Sequence, residues 1–167
     1  QGLTYSGSFK NGKFNGTGRI ALADGGGYNG EFMDGVYHGT GVLKMEDGTE
    51  FEGDFFRGFA EGNVEIRFPS GASYSGKLTV RLSCDMNQMN CSKNSVYQGD
   101  GIFSNSSGDR FEGQFKDGQR YGNGALVTAS GIRLEGEWKE DQRWNLVAYD
   151  LDGSQRGRYE DGVWKSP

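Results

Sequence analysis

The sequence predicts an all-β protein: an elongated, single-layer antiparallel β-meander, built like a solenoid from about six and a half copies of a 23-residue repeat with two strands each. Three observations predict this fold: a fixed period, apolar residues alternating at every second position, and glycines in constant phase. The period is interrupted once, between the fourth and fifth copies. The residues that lead the six full copies are Tyr5, Tyr28, Phe51, Tyr74, Phe111 and Leu134.

The first strand of each copy has an aromatic–glycine–aromatic pattern. With the leading residue as position 1, the second copy has Tyr28, Gly30 and Phe32 at positions 1, 3 and 5. A spacing of two places all three on one face of a strand. Each copy therefore begins with a strand that has one aromatic face.

The second strand carries an aliphatic pair at positions 16 and 18, such as Ile20 with Leu22 and Leu43 with Met45. Glycine recurs at position 14, and we expect it to lie opposite the glycine at position 3. Paired glycines would leave room for neighbouring rings to lie flat on that face.

The turn between copies sets the register. Its residues are of the type Ala23-Asp24-Gly25. A two-residue hairpin would turn positions 16 and 18 to the wrong face. A three-residue loop, with a type I turn and a left-handed glycine, pairs position 16 with the next position 1, so the longer loop is predicted.

Positions 2 and 4 are largely polar and point to the opposite face. We expect a solvated, aggregation-resistant surface there. Its acidic residues are Glu31, Glu52, Asp54, Glu112, Glu135 and Glu137.

The pattern Y-x-G-x-F-x-x-G-x-x-x-G-x-G, followed by D-G, resembles the MORN repeat (membrane occupation and recognition nexus). The resemblance implies a twisted single-layer sheet whose aromatics line a shallow groove, and related arrays bind partner peptides and tail helices or self-associate. We expect one MORN array over residues 1–167, with copies starting near residues 5, 28, 51, 74, 111, 134 and 155.

Two copies depart from this pattern. The fourth has an insertion at 79–97 that contains Cys84 and Cys91, and we expect it to be a disordered loop whose removal leaves the sheet folded. The sixth has Asp141, Asn145 and Val147 where other copies have glycine. The trailing 156–159 segment is predicted to cap the array.

Composition limits the classes of partner and compartment. A net charge of −5 and a pI near 4.9 argue against nucleic acid as a partner. No apolar run approaches the roughly 18 residues of a transmembrane helix, and two cysteines are too few for a disulfide scaffold. We expect a cytoplasmic segment of a longer protein, with cytoskeletal or membrane association.

Little in the sequence supports catalysis. The one histidine, His38, is expected in a loop within the second copy, and no spacing of His and Cys predicts a zinc site. The acids fall on turns or on the polar face, with no sign of a desolvated pair. We expect no enzyme, no metal and no cofactor.

The leading hypothesis is a protein-binding scaffold. A single layer leaves its aromatic face without a second layer, which predicts a long, partly exposed trough for an amphipathic helix, an extended peptide or a second copy of the chain. The predicted groove residues are Tyr5, Phe9, Tyr28, Phe32, Phe51, Phe55, Tyr74, Phe111, Phe115 and Trp138.

Two alternatives remain open at this point. One is attachment to anionic phospholipids, which the family name implies and for which the best local basic cluster is Arg120, Arg133, Lys139 and Arg143. The other is an accessory role beside an enzyme domain in a longer chain, as in related arrays.

Overall fold

The computed structural model describes residues 2–78, 84–85, 90–91 and 97–167. All regular secondary structure in these residues is β-strand, and consecutive strands of each sheet pair antiparallel. The predicted all-β meander is confirmed. The chain forms two compact units, one of Gln1–Ser70 with Leu78–Ser95 and one of Gly71–Lys77 with Val96–Pro167.

The first unit contains six strands of the repeat pattern, each hydrogen-bonded to the next along the chain. They are β1 (Leu3–Lys10), β2 (Lys13–Leu22), β3 (Gly27–Met33), β4 (Val36–Lys44), β5 (Glu50–Phe56) and β6 (Phe59–Arg67).

The second unit continues the same pattern after β7 (Ser73–Leu78). Its later strands are β10 (Tyr97–Ser104), β11 (Arg110–Lys116), β12 (Gln119–Val127), β13 (Arg133–Lys139), β14 (Gln142–Tyr149), β15 (Gln155–Glu160) and β16 (Val163–Lys165). The predicted cap at 156–159 is therefore part of a hairpin, because β16 pairs with β15 through Tyr159 and Trp164.

The insertion at 79–97 is described at only a few residues. Two-residue strands β8 (Cys84–Asp85) and β9 (Asn90–Cys91) pair with Cys84 opposite Cys91 along the backbone. The rest of the predicted loop, including the prediction that it is disordered, lies outside the described residues.

A two-residue turn closes the hairpin inside every repeat except the fourth, which has the insertion at that place. In the first two copies it is formed by Asn11-Gly12, with φ of 50° and 74°, and by Asp34-Gly35, with φ of 53° and 89°. Positive φ at both central residues defines a type I′ turn, whose twist matches that of the flanking strands. Because the turn ends at Gly35, His38 lies within β4 opposite Glu31, and its predicted place in a loop was wrong.

The loop between repeats has the predicted length. In the first loop, the Leu22 amide donates to the Gly26 carbonyl at 3.0 Å, and Gly25 has φ of 90°. Ile20 consequently pairs with Tyr28, which is position 16 against the next position 1. The three-residue loop and its register are confirmed.

A β-bulge interrupts the hairpin after the position-3 glycine in the first, second, third and fifth copies. In the second copy the register shifts between Gly30 and Glu31, and Gly39 on the facing strand has φ of 57°. A left-handed conformation at this position explains the recurring position-12 glycine.

The core of each unit lies on the aromatic face. The most deeply buried large side chains all come from positions 1, 5 and 16 of the repeat. They are Trp138, Tyr28, Tyr74, Phe111, Ile20 and Ile66.

Candidate functional site

Pairs of facing glycines underlie the aromatic face in several copies, although Val64 faces Gly53 in the third and Leu146 faces Gly136 in the sixth. Gly30 lies opposite Gly41, and the ring of Tyr28 lies over both. A Cβ on Gly41 would be 2.5 Å from Cζ of Tyr28, and one on Gly30 would be 2.6 Å from the Gly41 Cα. Any side chain at either position would displace the ring, so the predicted role of the glycine pairs is confirmed.

The tyrosine hydroxyl reaches back to the bulge. Tyr28 Oη donates to the carbonyl oxygens of Glu31 at 3.2 Å and His38 at 3.3 Å. In other copies, Tyr5 and Tyr74 make the same kind of bond to the carbonyl three residues ahead. A tyrosine at position 1 thus donates a hydrogen bond to backbone carbonyls that the bulge leaves without a partner on the neighbouring strand.

A second ring at position 10 stacks on the first, and sequence reasoning missed it. Tyr37 stacks on Tyr28 with ring centroids 3.9 Å apart and planes 19° apart. Phe14 stacks on Tyr5 in the same way at 3.8 Å. The signal was present, since Phe14 and Tyr37 are one 23-residue period apart.

Where position 5 of a following repeat is an aromatic ring, the repeat before it covers that ring. Tyr28 meets Phe55 edge to face with centroids 5.1 Å apart, and Tyr37 contacts the same ring at 6.0 Å. Tyr5 covers Phe32 in the same manner at 5.4 Å. The rings therefore interlock along the face.

Interlocking buries most of the predicted groove, so the expected partly exposed trough is absent at eight of its ten residues. Phe9 is the exception, with 62% of its surface exposed, and Tyr5 is half-buried. The physical reason is that neighbouring rings cover one another without a second layer. The eight buried groove residues are Tyr28, Phe32, Phe51, Phe55, Tyr74, Phe111, Phe115 and Trp138.

In the fifth copy an arginine occupies position 10 in place of a ring. The Arg120 guanidinium lies 4.6 Å from the Trp138 ring centroid and 5.7 Å from that of Phe111. Its Nε donates to Asp141 Oδ1 at 2.8 Å, and its terminal nitrogen donates to the Asp141 carbonyl at 3.0 Å. The aromatic face of the second unit therefore contains a fixed cation.

Next to Arg120 the face opens into a groove of about 460 Å³. Half-buried Tyr97 and Phe103 give it an accessible aromatic surface, and Asp109 with Asp141 gives it acidic oxygens. The groove is thus apolar at its floor and charged at its rim. The remaining lining residues are Asn105, Phe111, Phe115, Gly118, Arg120 and Leu126.

Burial and hydrogen bonding alter several acidities on this face. Burial raises the pKa of Tyr37 and Tyr74 to about 12, and it also raises the pKa of Tyr28 and Tyr97. The pKa of Asp109 is lowered, because its carboxylate accepts bonds from the Ala129 amide and the Asn105 side chain. Asp109 therefore stays ionised at the groove rim.

The predicted basic cluster is split between the two faces of the sheet. Arg120 and Arg143 pair with Phe115 and Trp138 across the strands and share the aromatic face. Arg133 lies on the opposite face, where it bonds Glu135 at 2.6 Å. The fourth member, Lys139, lies over the Trp144 ring at 4.4 Å. Each cation has an internal contact, so the four form no single basic patch.

Neither the histidine nor the carboxylates assemble a metal site within the described ranges. Among those residues, no group of three or more His, Cys, Asp or Glu side chains is placed to hold an ion. The buried Nδ1 of His38 has no hydrogen-bond partner, and its ring lies 5.7 Å from that of Phe56. Within the same ranges no helix has the length and hydrophobicity needed to cross a membrane.

Sequence comparison adds direct evidence of family. The family model for the MORN repeat matches residues 5–27, 28–50, 51–73 and 111–133, together more than half of the chain. The chain belongs to the MORN repeat family. No curated protein sequence matches this MORN chain.

Two solved structures illustrate the distant likeness. The TCP domain of SAS-4 (dCPAP) from Drosophila melanogaster, in complex with a proline-rich motif of Ana2 (dSTIL), is 10% identical with a TM-score of 0.49, over 83% of this MORN chain and 68% of that chain. The wild-type TCP10 domain of Danio rerio CPAP is 14% identical with a TM-score of 0.30, over 86% and 72%.

Proposed function

We propose that this MORN array is a non-catalytic scaffold that binds a partner protein, as an amphipathic helix or an extended peptide, along its aromatic face. The observation that carries the proposal is the groove in the second unit. It combines accessible rings at Tyr97 and Phe103 with a charged rim at Asp109 and the Arg120–Asp141 pair. Apolar grooves with a few fixed polar groups are typical binding sites for peptide side chains.

The buried rings and the accessible rings have different roles in this proposal. The eight buried groove residues form a rigid floor, whereas direct contacts come from Tyr97 and Phe103 in the second unit and from Tyr5 and Phe9 in the first. Aromatic side chains held rigidly by their neighbours lose little entropy on binding, and such residues supply most interface energy, at about 2 kcal/mol or more each.

The groove suits a helix or strand that presents an apolar side chain flanked by polar ones. Its volume of about 460 Å³ has room for a large apolar side chain. The Asp109 and Asp141 carboxylates can accept bonds from a basic side chain or from backbone amides of the partner. A second copy of the chain is an alternative occupant, and the molecular mass in solution, compared with 18.3 kDa, distinguishes it.

Two neighbouring residues of β10 provide a matched test. Phe103 pairs with Phe111 on the aromatic face, whereas Ile102 pairs with Glu112 on the other face, and both are half-buried. We expect Phe103→Glu to weaken capture of binding proteins at least about tenfold, as loss of one hot spot would. Ile102→Glu should leave capture within about twofold.

Capture is measured quantitatively by mass spectrometry on the immobilised full chain, with circular dichroism to check the fold of both variants. If both folded variants lose the capture of binding proteins equally, or if both retain it, the groove is not the binding surface. A cytoplasmic location with cytoskeletal or membrane association remains a prediction.

A further inference from the structure

The sixth repeat has smaller side chains on the aromatic face than the repeats before it. Position 1 is Leu134, whereas the first five copies have tyrosine or phenylalanine there. The residue that faces Leu134 on β14 is Ala148. The sixth repeat therefore has less side-chain volume at both positions. The residues that correspond to Ala148 in other copies are the larger Ile20, Leu43, Ile66 and Leu126.

A hollow of about 460 Å³ opens beside these two small residues. Ala148 faces Gly157 on β15, and the ring of Trp164 lies over that glycine, where any Cβ would clash with it. Trp164 and Tyr159 have ring centroids 5.1 Å apart and give the hollow an aromatic wall. The described residues that line it all differ from those of the groove next to Arg120, so the hollow is a separate site in the second unit.

The rim of the hollow carries an arginine that forms no ion pair among the described residues. Arg143 Nη1 donates to Tyr159 Oη at 3.0 Å, and the guanidinium lies 5.6 Å from the centroid of the same ring. Within the described ranges its Nε and Nη2 make no hydrogen bond and remain available to a ligand. Arg156, the other cation at the rim, is paired with Asp150 at 3.2 Å. The hollow therefore has one uncompensated positive charge, held in place by a ring.

The two sites on the aromatic face of the second unit differ in charge. Asp109 stays ionised at the rim of the groove, whereas Arg143 brings a cation to the hollow, and no acidic residue of the described chain lines the hollow. Complementary charges favour a partner, and like charges facing each other exclude one. A ligand of the hollow must therefore combine a negative group with an apolar side chain that covers Leu134 and Ala148.

We propose that this hollow binds an acidic segment of a partner polypeptide, in which an aromatic or large aliphatic side chain stands next to a glutamate or aspartate. The apolar side chain lies against Leu134, Ala148 and Trp164, where earlier repeats have larger side chains of their own. The carboxylate accepts two parallel bonds from Nε and Nη2 of Arg143, the geometry that a guanidinium offers to a carboxylate.

An extended chain suits the hollow better than a free small molecule. Small-molecule sites bury most of their ligand. Here Arg143 is exposed, and Trp164 is 40% exposed, so the hollow is open to the surface. A polypeptide can place one side chain in the hollow while its backbone continues across the face.

The test uses the full chain, isotopically labelled for NMR, and three short peptides with blocked ends. Their sequences are Gly-Glu-Phe-Glu-Gly, Gly-Lys-Phe-Lys-Gly and Gly-Glu-Ala-Glu-Gly. We expect the Glu-Phe-Glu peptide to shift the side-chain N–H resonances of Trp164 and Arg143 in a saturable way. The other two peptides should bind at least about tenfold more weakly, because one has the wrong charge and the other has no ring.

Variants of the protein identify the site, with circular dichroism to check their fold. Arg143→Gln should weaken binding of the Glu-Phe-Glu peptide at least about tenfold, because it removes the charge. Arg133→Gln is the matched control, since Arg133 lies on the opposite face and pairs with Glu135. It should leave binding within about twofold. Ala148→Leu, which restores the size found in earlier repeats, should fill the hollow and weaken binding at least about tenfold.

Several results would overturn the proposal. These are no saturable binding of the Glu-Phe-Glu peptide, equal binding of the three peptides, or equal effects of Arg143→Gln and Arg133→Gln. Binding to phosphatidylserine vesicles that depends on Arg143, without binding of the peptide, would overturn it as well and would indicate a membrane surface. Phe103→Glu, which alters the groove next to Arg120, should leave peptide binding at the hollow unchanged, so failure of the groove hypothesis is a separate result.

Discussion

The glycine pair under Tyr28 can be tested by adding one methyl group. In Gly41→Ala, the new Cβ would lie 2.5 Å from Cζ and 2.7 Å from Cε2 of the ring. Carbon atoms in contact are about 3.5–4.0 Å apart, so the ring must move by about 1 Å. That movement disrupts its stacking on Tyr37 and the two bonds from its hydroxyl.

The magnitude follows from these losses. The stacking contributes about 0.5–1.5 kcal/mol, and the single O–H, shared between the two carbonyls, contributes about 1 kcal/mol. Replacing glycine by alanine in a strand returns about 0.5–1 kcal/mol through chain entropy. We expect Gly41→Ala to lower the free energy of unfolding by about 0.5–2 kcal/mol, a measurable part of the stability of an ordinary domain.

Urea unfolding followed by circular dichroism measures this loss, and hydrogen exchange locates it in β3 and β4. Gly2→Ala is the control, because a Cβ there would have no atom within 4 Å. It should change stability by less than about 0.5 kcal/mol. If Gly41→Ala is as stable as the unchanged chain, the ring does not depend on the glycine pair and the account of the aromatic face is wrong.

Three further predictions follow from the contacts described above. In an ultraviolet titration of the phenol groups, Tyr37 and Tyr74 should ionise near pH 12. Because their pKa in the folded protein is above the ordinary 10.0, the free energy of unfolding keeps their full contribution below pH 10. That contribution is lost between pH 10 and 12, where the unfolded chain releases these protons first. A normal titration of all tyrosines in the folded protein would contradict this. Arg120→Met should lower the free energy of unfolding by about 1–2 kcal/mol, because the ion pair and the ring contacts share one guanidinium. A double-mutant cycle with Asp141→Asn should show a coupling energy between the two positions. Additive changes in the free energy of unfolding would refute the pairing. Replacing residues 79–96 by Met-Asp-Gly-Val, the sequence of residues 33–36, should leave exchange protection in β10 and β11 intact; loss of that protection would show that the insertion stabilises the sheet.

The repeat phase made the backbone predictable. Once position 16 was required to share a face with the next position 1, only the three-residue loop was consistent, and Ile20 does pair with Tyr28. The glycine pairs followed from the same register, as Gly30 and Gly41 show. Local turn chemistry and strand alternation are short-range properties that a sequence displays directly.

The arrangement of side chains on the aromatic face was less predictable. The uncovered sheet was expected to expose its rings, but Phe32 and Phe55 are buried because rings of the preceding repeat lie against them. That coverage depends on ring tilt, which the period does not specify. The ring of Tyr37 could have been predicted, because it lies one period after Phe14. Arg120 could not, because an arginine replaces the ring at position 10 and the repeat pattern does not indicate that its guanidinium lies against Phe111 and Trp138.

The coverage of each position-5 ring by the preceding repeat has a consequence for how the first unit opens. Each such contact makes the packing of one repeat depend on the repeat before it, as Phe32 depends on Tyr5 and Phe55 on Tyr28. Local loss of structure in one repeat should therefore uncover a ring in the next repeat and spread from strand to strand within the unit. A substitution in one repeat would accordingly change hydrogen-exchange protection several strands away.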